Sequence, residues 1–501
     1  MIRALTLAIG IGAIAGCAAV RTPLEERLQS SSQPVRECAE WFRALDEAVD
    51  AAAVRDAEYH RLPGFPYLRV DRFLASLRPR AQASDAAFQA LVDRMRGLDL
   101  ESRRFEIENL PQERYSRLAM TDAFAGAAPL QRTQDCGALL ERADLARPME
   151  RTKLLEEASV PDDYSDASRA IGLYPLVRLV FARGVRNWQE ETLASFRAAP
   201  AAPAGATLVR YAPPLRDPAS RAQVAALLDQ ARFDPLGIPV LSARDLERVA
   251  QTYAPSFEVA VATDDDRFGA LYWTRQGDVP AVDPADAVVY VRPAYTRYGD
   301  AVLLQLVYTI WFPERPAASG ADLLAGKLDG IVWRVTLAPD GEPVLYDSIH
   351  PCGCYHMFFP TPRAAAKAAP DPSEEWAFAP QKLQRIREGE RPLLYIASGT
   401  HYIEHVSVVA GADSVARYRV RPYGELRSLQ FGSRRRSIFG PDGIVAGTER
   451  AERLLFWPMG IASAGAMRQW GRQATAFVGR RHFDDADLVE RRFELDLGGA
   501  G

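Results

Sequence analysis

At 501 residues, with 48% of them hydrophobic, the chain is long enough for two or three domains with real cores. Its formal net charge of −4, with no basic tail or stripe, argues against nucleic acid as a partner.

The chain opens Met1-Ile2-Arg3, and residues 4–15 carry no charge. One positive charge before a short apolar run is the layout of a secretory signal peptide. The run is shorter than the roughly 20 residues a transmembrane helix needs. It ends Ile14-Ala15-Gly16-Cys17, which resembles the lipobox of bacterial lipoproteins. The resemblance covers only the leader. It implies cleavage after Gly16 and a lipid on Cys17. Ala18 in place of Asp goes, in that family, with transport to the outer membrane. The expected layout is a signal peptide over 1–16, a lipidated tether over 17–33, and a body facing the periplasm from the membrane that the lipid holds. No later stretch is apolar for long enough to span a bilayer.

Residues 34–197 read as a helical domain. Apolar residues recur at helical spacing over 37–53, over 87–98 (Phe88, Leu91, Val92 and Met95 on one face), over 136–145 and over 173–196. Pro63, Pro66, Pro111, Pro129, Pro148 and Pro161 separate them. Residues 198–255 read as a linker, rich in Ala and Pro at first, with short helices near 219–230 and 243–253. From residue 256 the apolar period becomes two. Strands are expected over 257–262, 287–291, 302–312, 331–337, 344–349, 393–398, 403–409 and 416–420, with Pro339-Asp340-Gly341 as a hairpin turn. Residues 256–460 should form a mainly antiparallel β domain, a sandwich or partial barrel. Residues 461–501 read as a helix over 464–478 and a charged tail. The expected fold class is α+β, a helical N-terminal domain followed by the β domain.

Beyond Cys17 the cysteines are Cys38, Cys136, Cys352 and Cys354. An oxidising envelope lets such thiols pair. Cys38 and Cys136 both lie on expected helices, which makes them the natural pair and leaves Cys352 and Cys354 to each other or to a ligand.

Four of the six histidines fall in two short stretches, His350-Pro351-Cys352-Gly353-Cys354-Tyr355-His356 and His401-Tyr402-Ile403-Glu404-His405. Both follow expected strands, where a loop presents side chains from a rigid scaffold. Imidazole and thiolate are the natural ligands of zinc and copper. An extended 350–356 segment would spread its four groups over about 20 Å, so a turn at Pro351 and Gly353 is needed. Two ligands from this loop with His401 would leave a position open for water, as catalytic zinc sites do. Asp347 could orient a histidine from behind. The leading expectation is therefore an envelope lipoprotein with a metal site at His350, Cys352, Cys354, His356 and His401, suited to metal-dependent hydrolysis. Two alternatives stand beside it. One is a non-enzymatic protein that binds an envelope partner, with the loop structural. The other is a thiol-redox protein using Cys352 and Cys354, which needs a depressed thiol pKa. The spelling His-x-x-Glu-His at 401–405 resembles the inverted zinc-peptidase motif. That chemistry needs a helix to bring its histidines within about 6 Å, whereas residues 406–409 favour a strand.

Overall fold

A computed structural model describes residues 23–120, 127–214, 218–277, 279–371, 373–410 and 416–498. Cys17 and the leader lie outside the described residues. The fold is α+β, with the long helices in the first part of the chain and mainly antiparallel sheets in the rest.

The long helices follow the apolar periodicity. Gln33–Ala51 buries Cys38, Trp41, Phe42, Leu45 and Val49 along one stripe. Pro129–Leu145 packs against it, and Cys38 is disulfide-bonded to Cys136 with their Cα atoms 5.0 Å apart. Asp85–Asn109 starts at Ser84, whose side chain accepts from the Ala87 amide, as a capping serine does. This helix runs well past the expected end at 98. Its second half still faces inward, but buries Asp99, Arg103 and Glu106 beside Phe105 and Ile107. The two acids are matched by Arg69, which lies 3.0 Å from Asp99 and 2.8 Å from Glu106. A buried charge is tolerable only when paired, and here the partner comes from a hairpin. That hairpin, His60–Leu62 with Phe65–Val70, turns at Gly64 (φ 80°) and corrects the all-helical reading of 34–197. Residues 23–28, expected in the tether, form a helix bound to the body through Arg27 and Asp144.

Two sheets build the β part. The first has six strands in the order 357–360, 343–349, 326–337, 301–315, 288–298, 419–422. All its neighbours are antiparallel except the last pair. The second runs 403–410, 390–396, 256–261, 207–212, 416–417. Neither closes into a barrel. Even positions of Ala301–Arg315 (Leu304, Leu306, Tyr308, Ile310) face the second sheet's Phe257, Val259, Leu394 and Ile396 in one core. Odd positions (Val307, Trp311) face Tyr423, Trp470 and Phe483 from the C-terminal part. Burial on both faces explains why this strand reads as a continuous apolar run rather than an alternating one. Each side chain so buried contributes roughly 1.5–3 kcal/mol.

The helix expected over 464–478 is absent. Gly465, Gly471 and Gly479 all have positive φ, and the segment winds irregularly through the protein. Nor are residues 479–498 a free tail, since Arg481 and Arg492 are buried. This segment clamps the two halves together. Tyr164 Oη donates to the Ala476 carbonyl at 2.8 Å, and Arg72 donates to the Gly471 carbonyl at 2.7 Å.

Candidate functional site

The 350–356 loop does turn. The Gly353 amide donates to the His350 carbonyl at 2.8 Å, and the His350 amide donates to the Cys354 carbonyl at 3.0 Å. Gly353 is needed at φ 94°, and a Cβ there would fall 2.4 Å from the Ala474 oxygen. Beneath the loop, Gly330 lets Pro351 approach; a Cβ on it would meet the Ile310 oxygen at 2.4 Å and Pro351 Cγ at 3.0 Å.

This turn sends the expected ligands in different directions. His350 leads to Asp329, on the Gly326–Leu337 strand. Nδ1 of His350 lies 3.0 Å from Asp329 Oδ1, and Nδ1 of His401 lies 3.0 Å from Asp329 Oδ2. The structure thus brings His350 and His401 together, on one carboxylate. His356 points elsewhere, to Asp347 at 3.0 Å, and Asp347 is also held by Arg334 at 2.9 Å. Cys352 is buried and packs, with Cys354, against the Trp311 and Trp470 core. Both thiols are free. The Cys354 thiol is pushed well above its usual range by its hydrogen bond with Cys352 and by burial, which is the opposite of what a reactive thiolate needs. Among the described residues no group of three or more His, Cys, Asp or Glu side chains is arranged to hold a metal ion.

His401 is the innermost part. It follows the Glu390–Ile396 strand of the second sheet, at φ 54°, and stacks on Phe312 with ring centroids 4.0 Å apart. Its Nε2 lies 3.6 Å from Asp266 Oδ1. Asp266 in turn accepts from the amides of Gly399 and Ala262 at 2.6 and 2.8 Å and from Ser398 Oγ at 2.9 Å. Ser398 is therefore committed to Asp266. His405 and Glu404 sit on the Ile403–Ala410 strand, so the helix that an inverted zinc-peptidase motif requires is not formed.

The four titratable groups make a buried chain, His350, Asp329, His401, Asp266. Burial opposes the charge on Asp329, but His350 and His401 prevail and hold it well below the usual carboxylate range. Burial likewise opposes Asp266, and hydrogen bonds from His401, Gly399, Ala262 and Ser398 hold it low. An ionised carboxylate only accepts, so both Nδ1 atoms facing Asp329 carry the proton. The two imidazoles are then driven apart. His350 is lowered, because burial outweighs Asp329. His401 is raised, because Asp266 and Asp329 together outweigh burial.

Above His350 lies an aromatic and cationic layer. Tyr355 and Tyr402 are in edge contact at 4.6 Å, and each has its ring near His350, at 5.0 and 5.7 Å. Trp188 from the Tyr174–Arg197 helix packs on Tyr355 at 5.4 Å. Arg315 stands 5.0 Å over the Tyr402 ring. Sequence reasoning missed Asp329, Asp266 and Arg315. Asp329 left no clear signal, since its strand also carries Lys327 and Arg334.

The fold and the site define an α+β protein with a buried histidine–carboxylate centre at the meeting of two sheets. Comparison with protein-family models, with curated proteins and with solved structures gives no match.

Proposed function

We propose that the chain is an envelope lipoprotein, acylated on Cys17 and facing the periplasm from the outer membrane, whose working part is a proton-transfer site at His350. The observation that carries the second half is the sharing of Asp329 by two histidines from different sheets. Asp329 fixes the tautomer of His350 and leaves Nε2 as the acceptor, which is how a carboxylate readies a histidine as a base. The neighbouring His401 holds its proton more tightly. Two groups whose pKa values are pushed apart are the natural acid and base of one site. Arg315, Tyr355 and Tyr402 favour a substrate with an anionic or polar oxygen, and hydrolysis of such a substrate is the reading with the best chemical fit.

A zinc- or copper-dependent form of this function is the second reading. A metal-binding histidine typically gives its other ring N–H to a carboxylate, as His350 and His401 both do to Asp329. His350 and His401 would then be the protein ligands, while Cys352, Cys354 and His356 serve the loop.

Ring titration by NMR tests the centre directly. His350 and His401 should titrate on opposite sides of the ordinary histidine value of about 6.5, and identical titration would remove the acid–base assignment. A panel of ester, amide and phosphoester substrates, run with the wild type and His350→Gln and paired with metal analysis of both, separates the two readings. Turnover by metal-free protein supports the first; turnover that needs near one equivalent of metal supports the second. Acylation is checked by mass spectrometry of the native protein, and Cys17→Ser should lose the added lipid mass.

A further inference from the structure

The Tyr174–Arg197 helix turns one face inward and leaves another uncovered. Phe181 packs inward, 5.1 Å from Phe456 and 6.0 Å from Phe477. Leu176, Leu179, Val180 and Arg183 follow the i, i+3, i+4, i+7 spacing of a single helix stripe, and all four are exposed, Val180 at 72%. Ile171 and Leu173, in the turn before the helix, are exposed as well. The stripe does not end at the helix edge. Gly172 lies directly on Pro458, since a Cβ on it would fall 2.5 Å from Pro458 Cβ. That contact and Phe456 against Phe181 bring the 453–459 segment beside the helix, where Leu454 (70%), Leu455 and Trp457 are exposed.

Single exposed leucines are ordinary, but large apolar side chains exposed together mark a contact site. Exposed arginines border this group, with Asp371 near Arg178 and acids returning along the helix only at Glu190 and Glu191. Arg178, Arg183 and Arg186 precede the first acid of the helix, Glu190, and Arg453 is exposed on the neighbouring Arg453–Phe456 turn. Asp166 is paired with Arg480, and Glu452 is buried. Leu, Ile and Trp on one face, with arginines at its border, are the makeup of a helix that lies in a membrane interface. No helix among the described residues is long and apolar enough to cross a membrane.

We propose that this face docks on an anionic lipid surface, with Leu176, Leu179, Val180, Leu454, Leu455 and Trp457 entering the headgroup region and the arginines meeting lipid phosphates. The contact is independent of the histidine centre and of any lipid on Cys17. It would hold the body flat against a bilayer.

The test uses the full chain with Cys17→Ser and an environment-sensitive NBD probe on Leu179→Cys. A second probe sits on Arg244→Cys, an exposed position elsewhere on the surface, and the chain without an added cysteine, treated alike, gives the background. Vesicles of phosphatidylcholine alone are compared with vesicles containing phosphatidylglycerol. The expected result is a blue shift at Leu179→Cys with the anionic vesicles, weakened by high salt and not seen at Arg244→Cys. Leu176→Glu should weaken vesicle binding roughly tenfold, the equivalent of one leucine withdrawn from an apolar contact, and Leu176→Glu with Leu455→Glu should abolish the shift. Equal responses at both probe sites, or no shift at Leu179→Cys, would overturn the proposal. So would a shift without vesicles that grows with protein concentration, which would identify a second copy of the chain as the occupant.

Discussion

Asp329 and His401 meet at 3.0 Å although they lie 72 residues apart and belong to different sheets. His401 reaches this point from a left-handed turn residue, φ 54°, pressed flat against Phe312. Asp329 is nearly inaccessible, at 1% exposure. A carboxylate in that position survives as an anion because both histidines and the Gly330 amide, at 2.9 Å, supply donors.

Replacing Asp329 by Asn should therefore unsettle the whole chain of groups. The substitution removes one of the two charges that raise His401, leaving Asp266, and turns an amide toward one of the two imidazole donors. Removing one partner of a buried ionic cluster typically costs 3–5 kcal/mol. We expect a loss of roughly that size in chemical denaturation, with the His401 titration moving down. An unchanged midpoint would show that the cluster contributes little to folding.

Gly330→Ala probes the same site sterically. The new Cβ would lie 2.4 Å from the Ile310 oxygen, which is backbone and cannot swing away. Overpacking of this kind costs about 1–3 kcal/mol. The His350 resonance should shift as well, because Pro351 is pushed off the strand beneath it.

The Cys38–Cys136 bridge spans 98 residues. In the chain-entropy picture a loop near that length is worth up to about 4.7 kcal/mol, and loss of a native disulfide typically costs 2–5 kcal/mol. Cys38→Ala with Cys136→Ala should lower stability in that range while Cys352 and Cys354 remain as thiols, read by denaturation and by thiol counting.

Stability should fall in alkali through His482. Burial opposes its charge, but its bonds to Asp163 and Asp485 prevail and push its pKa up to about 9. A raised folded-state pKa gives stability that is full below the unfolded value of about 6.5 and is lost as pH rises through about 9. The shift corresponds to roughly 2–4 kcal/mol, and His482→Gln should flatten that limb. On the acid side, burial pushes His356 down to about 3. Its contribution is present above about 6.5 and is lost as pH falls toward 3. His356→Gln should remove that part of the acid sensitivity.

Arg427 joins the two halves of the protein. It reaches Asp56 at 2.6 Å, and its carbonyl accepts from Asn109 Nδ2 at 2.8 Å. Arg427→Ala takes the paired guanidinium from buried Asp56, at an expected cost of 3–5 kcal/mol, while Glu58 keeps Arg292 at 2.6 Å. Arg427→Met with Asp56→Leu should recover part of that loss, because it removes both sides of the buried pair.

Local pattern alone determined the α+β class, the stretches that became the long helices, and most strands of the large sheet. Apolar spacing at 38, 41, 42, 45 and 49 or at 304, 306, 308 and 310 is a local property, imposed by the repeat of helix or strand on whichever face is buried. His350 and His401, singled out in short loops after strands, are the two that the fold brings onto Asp329. Tertiary structure decided the rest. The Asp85–Asn109 helix outran its apolar signal because charges from a distant hairpin satisfy its buried acids. The 461–498 segment looked like helix and tail, yet its glycines and its partners on both halves make it a clamp. Above all, the partner of each histidine was chosen by the meeting of two sheets. Which carboxylate an imidazole finds depends on strand order and register, and a residue such as Asp329 carries no local mark of the contact it will make.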